Sequence, residues 1–197
     1  MKRSEPRIRP AGQDDASALA RLINLAGEGI PLWLWRRDAA SDEEAFAIGA
    51  QRAARDSGGF SYTNAHVAEV DGQVAAMLLG YRLPDPYDID DLDEAPEVVR
   101  PLIELESQAP GSWYLNAIAT FENFRGRGVG SRLMSLALER ARESGATELS
   151  LIVAQENQGA FRLYQREGYT PGESRPVIPF PGCSFSGDWV LMTRGVT

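Results

Sequence analysis

Between Trp113 and Ala141 the chain passes from an apolar run, through a loop of arginines and glycines, into an amphipathic run. Trp113–Thr120 is apolar enough for a central, mostly buried strand. Val129, Leu133, Leu136, Ala137 and Ala141 then share one helical face, and Gly145 stands where that helix would end. The intervening loop, Arg125-Gly126-Arg127-Gly128-Val129-Gly130-Ser131, thus joins a buried strand to a helix. The first N–H groups of such a helix have no partner within it and carry partial positive charge, which favours an anion. Glycines let the backbone approach a phosphate with no Cβ in the way. Arg125 and Arg127 add two cationic donors, so the pattern points to a diphosphate cradle. The dinucleotide pattern G-x-G-x-x-G does not fit, because its sixth position falls on Ser131 when read from Gly126 and on Leu133 when read from Gly128. The Gly-Lys-Ser/Thr of a P-loop is absent as well.

The other elements follow from spacing and turn residues. Arg7–Pro10 is a predicted strand, and Asp14 or Asp15 is expected to cap the helix that carries Ala18, Leu22 and Leu25. Ile30 to Trp35 reads as a loop. Ser41 or Asp42 opens a second helix that runs to about Asp56. Ala65–Val70 and Gln73–Tyr81 form a predicted hairpin about Asp71-Gly72. A helix is expected from about Pro96 to Glu106, a buried strand over Leu149–Val153, and a short helix over Gln158–Glu167. Tyr169 begins a strand, a Pro/Gly-rich loop spans Pro176–Gly187, and Trp189–Thr193 is a final strand. No repeat or long linker divides this order, so residues 1–197 are expected to form one domain with a mixed sheet between helices.

Composition narrows the function. The chain has 197 residues, with 43% apolar and 24% charged, as in ordinary globular proteins and unlike a disordered chain. One Cys permits no internal disulfide and no thiolate metal cluster, so a reducing, cytoplasmic setting is expected, with no metal. The opening MKRSEPRIRP has no apolar region behind its basic residues and does not read as a secretory leader. The longest apolar stretch, near VAAMLLGY, is far short of the ~20 residues that span a bilayer. A pI near 4.8 argues against bulk nucleic-acid binding. The charge is concentrated: Asp85 to Glu106 holds nine acids and one base, a net −8 that equals the charge of the whole chain.

Several motifs together resemble the GNAT superfamily of N-acetyltransferases. Arg125, Gly128 and Gly130 fit the Arg-x-x-Gly-x-Gly pattern with which that family binds the diphosphate of coenzyme A. The preceding strand ends Ile118-Ala119-Thr120, Asn157 follows the next strand, and Ala160 to Tyr169 matches the A-x-x-L-Y-x-R-x-G-F/Y signature. Ile8-Arg9-Pro10 and the element order agree, while Glu122 stands where relatives often carry Pro. The resemblance covers most of the chain and is strongest from Trp113 to Tyr169. It implies an α/β (α+β) fold: a mixed, mostly antiparallel sheet of about seven strands, splayed at two central parallel strands, with about four helices on both faces. It also implies direct acetyl transfer from acetyl-CoA, as co-substrate, to a primary amine in a ternary complex. The expected acceptor is a small molecule; a protein or peptide acetyltransferase and a non-catalytic CoA sensor are the alternatives. A homodimer is the assembly it implies.

The resemblance also assigns residues. Ile118, Ala119 and Thr120 would meet the pantetheine arm and polarise the thioester carbonyl. Arg125, Gly126, Arg127, Gly128, Val129, Gly130 and Ser131 would hold the diphosphate, with Asn157 and Ala160 as further cofactor contacts. Tyr164 matches the family's general acid, although a tyrosine on a short helix also packs well. Asn157 doubles as a helix N-cap. For the base, the position some relatives use falls near Tyr114, a poor base at neutral pH. Of the nearby carboxylates Glu104 and Glu106, Glu106 is preferred, though both also suit a helix surface. His66 and a water relay are further options. Trp33 and Trp35 are candidate walls of the amine pocket, with a core or subunit-interface position as the other reading. Cys183 shows no nucleophile context.

Overall fold

The computed structural model describes residues 5–197, so the first part of the basic opening read above, residues 1–4, lies outside the described residues. Among the described residues, seven strands follow the spatial order β1-β2-β3-β4-β5-β7-β6. They are β1 (Arg7–Pro10), β2 (Ala65–Val70), β3 (Gln73–Arg82), β4 (Trp113–Thr120), β5 (Glu148–Ala154), β6 (Thr170–Pro176) and β7 (Asp188–Gly195). Six α-helices accompany them among the described residues: α1 (Ala16–Ala26), α2 (Ile30–Trp35), α3 (Asp42–Ala53), α4 (Arg100–Glu106), α5 (Val129–Glu143) and α6 (Gln158–Arg166). The sheet is mostly antiparallel, with β4 and β5 its parallel pair. That pair joins only Trp113 to Leu149 and Tyr114 to Ser150 among the described residues. The chain divides into two compact units: residues to Gly80 with Ala117–Ala137, and Tyr81–Asn116 with Leu138–Thr197.

In the first unit β1, β2 and the start of β3 form an antiparallel ladder, and Asp71-Gly72 turns β2 into β3 with both φ angles positive (52° and 77°). Leu19, Leu22 and Ile23 of α1 are buried, as are Val67 and Met77 on the strands. One expectation about α1 changes. The Asp15 carboxylate does not cap the helix amides; it accepts from Gly12 N–H at 2.8 Å and takes both terminal nitrogens of Arg9 at 2.7 and 2.9 Å. Arg9 also donates to Glu69 of β2, so one guanidinium ties β1 to β2 and to the start of α1.

The expected loop at Ile30–Trp35 is instead the helix α2. Gly29 enters it at φ 90°, Pro31 occupies its first turn, and the Asn24 side chain accepts from Leu32 N–H at 2.9 Å. A six-residue helix shows too little periodicity to be read from sequence, and one of its key partners lies eight residues away. Trp35 is 4% exposed; it meets Phe46 of α3 edge to face at 6.1 Å and lies over Gly49.

In the second unit β5 pairs along its whole length with β7, which pairs with β6. Leu105, Leu149, Leu151 and Met192 are fully buried there. The helix expected from Pro96 is shorter, because Glu97–Val99 is a 3-10 turn and α4 starts at Arg100 with Pro101 in its first turn.

Candidate active site

In the first unit the arginine–glycine loop leads from β4 into α5. Gly126 and Gly128 take φ of 71° and 74°, a backbone that a side chain with a Cβ adopts only under strain. A Cβ built on Gly126, Gly128 or Gly130 meets nothing within 4 Å, so the backbone faces open space rather than packing. The helical ladder starts with Arg132 N–H donating to Gly128 C=O at 3.3 Å. The N–H groups of Val129, Gly130 and Ser131 therefore precede it, at the positive end of a 15-residue helix. Arg125 donates to Thr120 C=O at 3.3 Å and Arg127 to Asn123 C=O at 3.1 Å. Arg127 also lies 5.2 Å from the centre of the Phe124 ring. Both arginines are exposed, so they can turn to a ligand. Open glycine backbone, a helix N-terminus and two cationic side chains suit a diphosphate. At the end of β4, Ile118 and Thr120 are half-buried and Ala119 is buried.

Of the two tryptophans in this unit, Trp33 is half-buried and Trp35 is in the core. Trp35 thus takes the core position that was its other reading, and Trp33 keeps a partly exposed edge. His66 is half-buried on β2, opposite Pro10 and Leu78.

The second unit holds the candidate acid and the preferred base. Asn157 caps α6, accepting from Ala160 N–H at 3.1 Å. Tyr164 on α6 is 8% exposed and meets Tyr169 edge to face at 5.9 Å. Glu106, the last residue of α4, accepts from the Tyr87 hydroxyl at 2.6 Å. The Tyr114 hydroxyl lies close enough to act on the same carboxylate. Burial raises the Glu106 carboxyl above the usual glutamate range, and the bonds from Tyr87 and Tyr114 oppose that rise. Glu104 instead faces outward and pairs with Arg175 at 2.8 Å. Cys183 donates to Phe185 C=O at 3.1 Å. Spacing alone did not reveal the tyrosines around Glu106: Tyr87 lies 19 residues before it, inside the acidic segment, and carries no local signature. Among the described residues, no group of three or more His, Cys, Asp or Glu could hold a metal ion, and no helix is long and apolar enough to cross a membrane.

Comparison with known proteins gives a consistent family. A model described as the acetyltransferase (GNAT) family matches residues 29–169. The chain is 35% identical over 72 residues to the mycothiol acetyltransferase of Corynebacterium aurimucosum, covering 36% of this chain and 23% of that protein. It is 36% identical over 56 residues to the N-alpha-acetyltransferase MAK3 of Arabidopsis thaliana, covering 28% and 30%. The matched stretches thus span between about a quarter and a third of these relatives. A crystal structure described as an acetyltransferase superposes with a TM-score of 0.69 at 25% identity, covering 97% of this chain and all of that one.

Proposed function

Because the chain belongs to the GNAT family of acetyltransferases, we propose that it is an N-acetyltransferase acting on the primary amine of a small molecule. The observation that carries the reading is the open glycine backbone at the start of α5, flanked by Arg125 and Arg127. Acetyl-CoA, when bound, supplies an acetyl group activated as a thioester. The N–H groups of the Gly126–Ser131 loop and the two arginines hold its diphosphate. Asn157 and Ala160, at the start of α6, add contacts to the same co-substrate. A backbone N–H within Ile118–Thr120 polarises the acyl carbonyl as negative charge develops.

The amine must lose a proton before it can attack, because an ammonium has no lone pair. Glu106 takes that proton. Its carboxyl sits above the usual glutamate range, closer to neutral pH, which suits a base better than a fully solvated glutamate. The Tyr164 hydroxyl gives a proton to the departing sulfur. Trp33 lines the acceptor side. We place all of this in a single domain that pairs as a homodimer in the cytoplasm. The relatives point to different acceptors, one named for mycothiol and one for the alpha-amino group, so the small molecule is our own choice.

Thiol release from acetyl-CoA tests the proposal, run over a panel of small amines and N-terminal peptides with wild type and Tyr164→Phe. Turnover of one small-amine class that falls about a hundredfold in the variant is the expected result. Turnover of peptides alone replaces the acceptor, and undiminished turnover by Tyr164→Phe removes that tyrosine as the acid. Stabilisation by acetyl-CoA without turnover of any acceptor makes the chain a binding module.

A further inference from the structure

Two carboxylates in this chain are held in opposite ways. Asp15 is clamped by the Arg9 guanidinium, which keeps its carboxyl below the usual range. Glu106 is met by phenols. Tyr87 reaches it from the loop after β3, and Tyr114 from β4. Tyr81 of β3 stands behind Tyr114, edge to face at 6.0 Å, and its own hydroxyl accepts from Asn116 Nδ2 at 3.1 Å. Several charged groups on elements near α4 have other partners. Arg175 of β6 binds Glu104 and Glu173, Arg100 of α4 binds the carbonyls of Asp93 and Ala95, and Asp188 of β7 accepts from Ser174. Arg194 of β7 lies beside Gly168.

This distinction has a chemical meaning. A cation at hydrogen-bonding distance stabilises a carboxylate so strongly that it becomes a poor base. A phenol orients the carboxylate and favours its charged form without neutralising it. Burial acts the other way and keeps the group basic. We propose that Tyr87 is a positioning residue for Glu106, its hydroxyl fixing the carboxylate and holding it ionised for proton removal from the acceptor. Tyr114 of β4, which also acts on that carboxylate, is the second position to compare. Tyr87 belongs to the acidic segment, so that segment contributes a neutral side chain to the base as well as its charge. The inference rests on the reading of Glu106 as the base.

The test uses the full chain with its glutamate side-chain carboxyls labelled with carbon-13. The Glu106 signal is assigned by its loss in Glu106→Gln and followed against pH in wild type, Tyr87→Phe and Tyr114→Phe. Tyr87 is half-buried, so its Phe variant keeps the ring and its packing. The Glu106 midpoint is expected above that of a solvated glutamate and higher still in Tyr87→Phe. On the acidic limb of kcat/KM, Tyr87→Phe is expected to lose roughly tenfold, the value of one hydrogen bond to a charged group, with the loss shrinking as pH rises. A midpoint that does not rise in Tyr87→Phe overturns the proposal. An acidic limb that survives Glu106→Gln overturns the base reading instead. A limb that vanishes in Glu106→Gln and does not move in Tyr87→Phe leaves the base in place and removes Tyr87.

Discussion

Arg9 shows how much a single side chain can organise. Its guanidinium spans β1, β2 and the start of α1 through Glu69 and Asp15, and Asp15 is only 7% exposed. Asp15→Asn leaves that guanidinium short of a charged partner and is expected to cost about 2 kcal/mol in denaturant unfolding. The sign of the pH dependence follows from the depressed Asp15 carboxyl. Its stabilisation is present above the unfolded carboxyl value of ~3.9 and is lost as pH falls through the lower folded value. Wild type should therefore lose stability in acid more steeply than Asp15→Asn, as read by melting temperature between neutral pH and about pH 2. Sequence placed Asp15 at a helix start but not in an ion pair, since nothing in local spacing pairs it with Arg9 and Glu69.

At the scale of elements, α5 and α3 carry glycines with opposite purposes. Gly130 lies in the first turn of α5 with open space where a Cβ would be. Gly130→Ala gains helix propensity, so the melting temperature of the free protein should hold or rise, while acetyl-CoA affinity drops by about tenfold. A variant that binds as tightly as wild type would remove close backbone approach as the reason for that glycine. Gly49 of α3 instead accommodates a neighbour, because a Cβ there would come within 2.5 to 2.7 Å of the Trp35 ring. Gly49→Ala should cost about 1–3 kcal/mol through overpacking, with no direct effect on the loop at Arg125–Ser131. Most strands and long helices were legible in the sequence because alternation, glycine stops and the Ser41 cap are local signals; Ser41 does accept from Glu44 N–H. α2 was hidden by its brevity and by its dependence on Asn24. The loop at Arg125–Ser131 was legible because its chemistry is contiguous. The environment of Glu106 was not, because it is assembled from α4, β4 and the loop after β3.

For the molecule as a whole, charge is distributed unevenly: Asp85–Glu106 accounts for a net −8 and the rest of the chain sums to zero. A field of this kind draws cationic acceptors toward the protein and is screened by salt. The KM of a cationic amine should rise about threefold between low and high ionic strength, while that of a neutral acceptor stays flat. Equal behaviour of the two would make the segment a solvated surface only. β4 and β5 must also find a single alignment. Two backbone pairs give weak discrimination against a slip. Just outside them, Ser112 spends its one hydroxyl proton on Ala109 C=O at 2.7 Å, so Ser150 must be the donor in the 2.7 Å contact between the two serines. Ser112 and Ser150 are 3% and 0% exposed. Sliding one strand by a residue would bring a leucine to Ser112 and take its acceptor from the buried Ser150 hydroxyl, at about 1–3 kcal/mol. A keyed pair of hydroxyls thus adds to the choice among alignments where the backbone that they accompany offers only two pairs.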